Sequence, residues 1–444
     1  MKTTIQLLKT SALLIACLGT GIAQGQVVRD QRIDNLRPYD QTGINVFDAP
    51  KDTNAVFNGL KLKFGAGFTQ SFQGLEHKNV GGGLYKMSPG FNTANANLYM
   101  DVQLAEGIRL NLTSYLSSRH HNETWVKGGY IQFDKLPFKG KVWDDIMKVT
   151  SVRIGHMEIN YGDQHFRRSD GGHTLYNPFI ENYILDGFTT EIGGEVLLRK
   201  NGLFGLVGVS NGMIKGNIDS LVPTAVDDNI HKSPAFYLKG GVDKQLNSMV
   251  RVRLAASYYT NNSSGGQTLY AGDRTGSNYF MPMEKLGSTA AANFSSGRLN
   301  PGFSKRVDAL QLNGFVKVQG LELFGTYEAA KGRTKTEASN RSVKQYAIDG
   351  IYRFGKREDV FLGVRYNAVT ARLADVAATA TAPAIVYTDN MKVDRVAFGA
   401  GWFLTKNVML KGEYVSQQYR DLPAADYRDG GKFNGYVVQA VVGF

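Results

Sequence analysis

Apolar residues recur at every second position through most of the chain. Leu60, Leu62, Phe64, Ala66 and Phe68 alternate with Lys61, Lys63, Gly65 and Gly67. The same rhythm returns at Ala96, Leu98, Met100, Val102 and Leu104, and again at Ile108, Leu110 and Leu112, with Asn, Asp, Gln, Arg and Thr between them. A period of two is the mark of a strand whose faces meet different surroundings. Similar segments fall near 124–134, 149–159, 188–199, 202–210, 234–243, 249–260, 307–318, 320–330, 342–354, 359–370, 392–403, 407–419 and 433–444. The pattern predicts about sixteen strands and no long amphipathic helix.

A soluble antiparallel sheet also alternates, so periodicity alone leaves the class open. Connection lengths narrow it. Short links such as Ala105-Glu106-Gly107, Lys200-Asn201-Gly202, Gln245-Leu246-Asn247, Gln319-Gly320 and Thr405-Lys406-Asn407 alternate with long ones near 69–94, 160–187, 211–232, 261–305, 331–341, 371–391 and 420–431. Asn-Gly and Gly-containing pairs suit tight hairpins. Short turns on one rim and long loops on the other belong to an all-β, antiparallel transmembrane β-barrel of about sixteen strands in an outer membrane. Two links resist the rule: 117–123 is short for an outer loop, and 135–148 is long for an inner turn. Aromatic residues near strand ends, among them Tyr258-Tyr259 and Trp402-Phe403, suit contact with the lipid interface.

The N-terminus gives the route. Lys2 and Lys9 flank the apolar run Leu13–Leu18, and small residues follow at Gly21 and Ala23. This is the grammar of a secretory signal over 1–23, too short to span a bilayer as a helix. The alternative is lipoprotein processing at Cys17, within Leu14-Ile15-Ala16-Cys17. Cys17 is the chain's one cysteine, so cleavage near Ala23 leaves a mature protein without thiols. Residues 24–55 are expected to be a periplasmic N-terminal segment and 56–444 the barrel.

Charge then limits what the barrel handles. The chain carries 51 basic and 39 acidic residues, a formal net charge of +12. Nucleic acid is excluded as a partner by the export signal and by the lack of a basic recognition helix. Small anionic or neutral solutes fit. On the strand face opposite the lipid, Lys61, Lys63, Arg109, Arg153, Arg251, Arg253, Arg365 and Arg395 are expected to line the pore, with Lys239, Lys317 and Lys411 on the same face. Inward acids include Asp101, Glu191, Glu195, Asp243, Glu322, Asp349 and Glu413. The basic excess predicts mild anion preference; pairing across strands is the plainer role for the same charges. In the long loop after Tyr161, His165, Arg167, Arg168 and Asp170 are the candidates for a constriction, or for pins holding the loop to the wall.

Other chemistries find little support. His120, His121, His156, His165 and His173 show no tight ligand spacing, so neither a metal nor a cofactor is expected. No paired Ser and His within the strands suggests a hydrolase, and Gly81-Gly82-Gly83 precedes no helix.

Three stretches resemble the porins of Bacteroidetes-type bacteria, similar to the phosphate-selective porin O and P family. They are Val152-Arg153-Ile154-Gly155 running on to Tyr161-Gly162, Leu36-Arg37-Pro38-Tyr39 running on to Val46-Phe47, and Trp402-Phe403-Leu404 with Asn407–Leu410. The resemblance implies an outer-membrane porin whose loop after Val152–Ile159 folds into the channel, and whose 36–47 segment is a lead-in or partial plug. It also implies recognition of Phe444 by the barrel assembly machinery and a homotrimer. The dense basic ladder of phosphate-selective members is absent. The function expected is passive diffusion of small hydrophilic solutes or ions. The alternative is a non-transport barrel acting as an adhesin or an assembly and secretion scaffold through its long outer loops.

Overall fold

Alternation along each strand is realised as an inside and an outside. In the computed structural model, residues 33–49, 51–52, 56–117, 119, 123–215, 221–228, 231–271, 273–380 and 382–444 are described. The expected signal 1–23, Cys17, His120 and His121 lie outside them.

Sixteen long strands form one closed antiparallel sheet among the described residues. They are β1 (Lys61–Lys78), β2 (Asn95–Ala105), β3 (Ile108–Leu116), β4 (Trp125–Phe133), β5 (Thr150–Glu158), β6 (Thr190–Lys200), β7 (Leu203–Ser210) and β8 (Ala235–Gln245). There follow β9 (Val250–Asn261), β10 (Arg306–Val318), β11 (Leu321–Arg333), β12 (Arg341–Phe354), β13 (Val360–Ala371), β14 (Met391–Thr405), β15 (Val408–Arg420) and β16 (Lys432–Gly443). Each pairs with the next, and the ring closes where β1 pairs with β16 from Gly67↔Gly443 to Lys78↔Lys432. Closure removes the unpaired edges that a bilayer does not tolerate. A two-residue strand, Gly90–Phe91, also pairs with β1, Phe72 facing Phe91.

The outer face is apolar. On β13, Val360, Leu362, Val364 and Tyr366 are exposed, whereas Phe361, Arg365 and Asn367 between them are buried. Trp402, Tyr352 and Phe354 face outward near the short-turn rim, and Trp125, Tyr258 and Tyr346 toward the other. An apolar band edged with aromatics matches a hydrocarbon layer between two interfaces. The protein is an outer-membrane β-barrel in contact with lipid.

The sequence boundaries need two adjustments. The first strand runs on to Lys78 rather than ending near Phe68, so the outer connection there is only 79–94. The two irregular links are real. The outer loop 117–124 is short, and the inner link 134–149 holds a one-to-two-turn helix, α1 (Lys141–Met147), with Met147 buried and the Thr150 hydroxyl donating to the Ile146 carbonyl at 2.8 Å. At the tightest inner turn both central residues, Asn201 (φ 55°) and Gly202 (φ 80°), are left-handed, the geometry that favours Asn-Gly in hairpins.

Candidate functional site

The inside of the barrel is occupied. The connection 159–189 leaves the outer end of β5, turns inward and is almost wholly buried. Polar side chains on four consecutive strands hold it. On β15 the Lys411 ammonium donates to the carbonyls of Thr174, Asn177 and Phe179 at 2.9, 3.0 and 2.9 Å. Glu413 accepts from the Ile180 amide at 2.9 Å. From β14, Arg395 donates to the Asn182 carbonyl at 2.7 Å, and from β13, Arg365 donates to that of Glu181 at 2.8 Å. Gln345 of β12 bonds both backbone groups of Leu185, and Asn367 accepts from the Ile184 amide at 2.6 Å. A buried irregular backbone needs such partners, and inward polar positions of the strands supply them.

A second loop joins the first. The connection 262–305 starts and ends at the outer rim, but Asp273, Thr275, Ser277, Asn278, Tyr279 and Met283 are buried within the lumen. Arg168 and Arg298 weld the two loops together. Arg168 bridges Asp186 and Asp273, and Arg298 reaches Glu181 at 2.8 Å and both aspartates at 3.1 Å. Sequence reasoning singled out Arg168 but missed Arg298, Glu181, Asp186 and Asp273, because a loop charge reads the same whether the loop points out or in.

The N-terminal segment packs into the inner end. Phe47 packs against Phe315 of β10 and Phe166 of the inward loop, with ring centroids 5.2 and 5.8 Å apart. Arg37 lies 3.7 Å from the Tyr176 ring and donates to the Phe166 carbonyl at 2.9 Å. Tyr39 stacks on Tyr99 of β2 at 4.1 Å.

The sequence-selected residues fall in three groups. In the loop, His165 pairs with Glu158 at 2.5 Å, Arg167 with Asn45 and, at 3.5 Å, Glu322, and Asp170 with Lys127 and Arg168. On the wall, Arg153 meets Glu195 at 3.3 Å, Arg251 grips Asp243, Arg253 grips Asp163, and Arg365 grips Asp349. Arg395 is spent on Gln417 and two loop carbonyls. The third group is set apart. Lys61, Lys63 and Arg109 stand on the inner-end stretch of β1 and β3, and no ion pair joins Arg109 to a carboxylate among the described residues.

Space remains in that sector, as it does elsewhere along the inner rim. The inward loop touches the β1–β4 wall near its tip, where Thr69 donates to the Gly172 carbonyl at 2.8 Å and Asn97 to that of Asp170 at 2.8 Å. The approach is so close that a Cβ on Gly172 would sit 2.4 Å from Ala96 Cα. Toward the inner end a cavity of about 230 Å³ opens between loop and wall, lined by Tyr39, Tyr99, Arg109, Asn111, Thr113, Lys127, Tyr130 and Arg153 among others. A second, of about 240 Å³, sits at the inner mouth with Lys61, Gln103, Glu106, Arg109, Asp134 and Lys135 in its lining. Arg109 belongs to both. Near the same rim a wider basic recess of about 550 Å³ carries Arg251, Lys317, Arg353, Lys356 and Arg357. No group of three or more His, Cys, Asp or Glu placed to hold a metal occurs among the described residues.

Set against solved structures, the chain is similar to an anion-selective porin from Comamonas acidovorans, with TM-score 0.53 and 10% identity over 87% of this chain and 100% of that one. The barrel has the fold of an outer-membrane porin. Weaker likenesses are to OmpT of Vibrio cholerae, with TM-score 0.49 and 9% identity over 89% of this chain and 99% of that one, and to the outer-membrane channel DcaP of Acinetobacter baumannii, with TM-score 0.49 and 11% identity over 87% of this chain and 98% of that one. No protein-family model matches the chain, and no curated protein is similar to it. The porin likeness is thus one of fold, and it does not single out the porin O and P group.

Proposed function

We propose that this porin-fold barrel is a channel for small hydrophilic solutes, with a mild preference for anions, and that its passage runs off-centre along β2–β5. The observation that carries this reading is the pair of cavities between the plug and that wall, both lined by Arg109. Arg37, Arg109, Lys127, Arg153 and Arg168 outnumber Glu158 and Asp170 along the lumenal cavity. The basic recess at the inner rim adds positive potential there. The resemblance of the Val152–Gly155 stretch to Bacteroidetes-type porins favours the same reading.

The test is purified protein in planar bilayers under a salt gradient. Stepwise currents with a reversal potential on the anion side are expected. Repeating the measurement with phosphate, and with Arg167→Ala/Arg168→Ala, asks whether the inward loop sets selectivity. The filled lumen favours one alternative, a non-transport barrel serving as an adhesin or scaffold. Well-folded protein that stays electrically silent would select it.

A further inference from the structure

We propose that Arg109, with the tyrosines beside it, forms a binding site for one small monovalent carboxylate where the two cavities meet. The inference rests on the off-centre passage for the ligand's access, and it adds a ligand class and a residue that binds it.

Arg109 has donors to spare. Arg109 is 2% exposed, and its Nη2 donates to Gln132 Oε1 at 2.7 Å. Its Nε and Nη1 are buried and meet no acceptor. A guanidinium stays charged at any working pH, and one held out of water with N–H groups unmatched is unfavourable unless something completes it. Other basic residues of the lumenal wall are differently placed. Lys127 is taken by Asp170, Arg153 by Glu195 and Gln132, and Arg37 by two carbonyls and a ring.

Neighbouring acids act on Arg109 only through space: Asp101 and Asp134 lie close enough to feel its charge, but neither accepts from its free N–H groups. Glu158 is bound to His165, and Asp170 is held by Lys127 and Arg168. Asp101 accepts from the Tyr39 hydroxyl at 2.9 Å and from Asn111 at 2.8 Å, and Asp134 from Ser151 and Gln132. What completes the site must come from outside.

Charge and lining narrow the ligand. Of the cations lining this cavity, Arg109 is the one with buried N–H groups that meet no acceptor, and Glu158, Asp170 and Asp101 stand nearby; a dianion such as hydrogen phosphate would bring its second charge against those acids. The stacked rings of Tyr39 and Tyr99, with Tyr130, provide an apolar flank that a bare inorganic ion would not use. A carboxylate on a small hydrocarbon or ring satisfies both.

Benzoate titrated calorimetrically into full-length protein folded in detergent tests this. Benzoate should bind, benzamide should not, phosphate should bind more weakly, and Arg109→Gln should weaken benzoate at least ten-fold, with Arg109→Lys between. Should Arg109→Gln fail to fold, Thr113→Trp, which fills the cavity without touching the guanidinium, should abolish benzoate binding. Unchanged benzoate affinity in the variant that folds, tighter phosphate, or no benzoate binding at all would overturn the proposal. Bilayer currents measured in parallel separate the two readings. Conduction without benzoate binding removes only this site, whereas binding in a silent barrel removes only the channel.

Discussion

Arg253 holds Asp163 in a two-point grip, Nε to Oδ2 at 2.8 Å and Nη2 to Oδ1 at 2.9 Å, and so ties β9 to the start of the inward loop. Lys239 of β8 reaches the same carboxylate at 2.7 Å. Asp163→Ala leaves two buried cations with less compensation. Breaking such a pair costs about 3–5 kcal/mol, so the variant should unfold at lower denaturant than the parent, read by loss of strand circular dichroism. An unchanged midpoint would mean that the grip is incidental to stability.

Loop-to-loop welding should govern openness. Arg168→Ala with Arg298→Ala removes the cations that join Asp186, Asp273 and Glu181. Three clustered carboxylates then repel. Unit conductance should rise severalfold and current noise should increase; conductance equal to the parent's would show that the loops stay in place by their backbone bonds alone.

On the lipid side, Val364→Arg puts a charge on the exposed face of β13. Near the middle of a bilayer the cost is about 2–4 kcal/mol. Reversible unfolding from vesicles should show that loss. Little change would displace Val364 from the hydrocarbon zone.

Phe444 contributes in two separable ways. Its amide and carbonyl bond those of Ala66 at 3.1 and 3.0 Å, while its side chain is exposed. Phe444→Ala keeps the backbone pair, so refolding into detergent should match the parent while insertion in cells falls if the ring is an assembly signal. Equal yield in cells would leave the ring as ordinary lipid-facing surface.

Strand count, closure and the direction of most side chains could be read from the chain, because lipid enforces alternation position by position. Leu362, Val364 and Tyr366 show it cleanly. The first strand outruns its own pattern: beyond Phe68 its outer face turns polar at Gln70 and Glu76, and the alternation fades while the backbone pairing to β16 continues. The plug was only partly legible. Parity places Arg365, Arg395 and Lys411 inward, yet each also donates to loop carbonyls, which every residue possesses and no sequence motif announces. Arg109 reads like any other inward basic position; that two of its nitrogens meet no acceptor shows only once the neighbours' pairings are known.

Ring closure also orders events in time. Gly67 meets Gly443, so the seam joins the first strand of the sheet to the last. Contacts between distant parts of a chain form slowly, because the intervening segment must first be arranged. Until β16 arrives, β1 presents a long unpaired edge from Gly67 to Lys78 in the periplasm, a template for pairing with other chains. The protein's most vulnerable interval therefore falls between export and insertion, and whatever shields β1 during that wait decides how much of the chain becomes barrel.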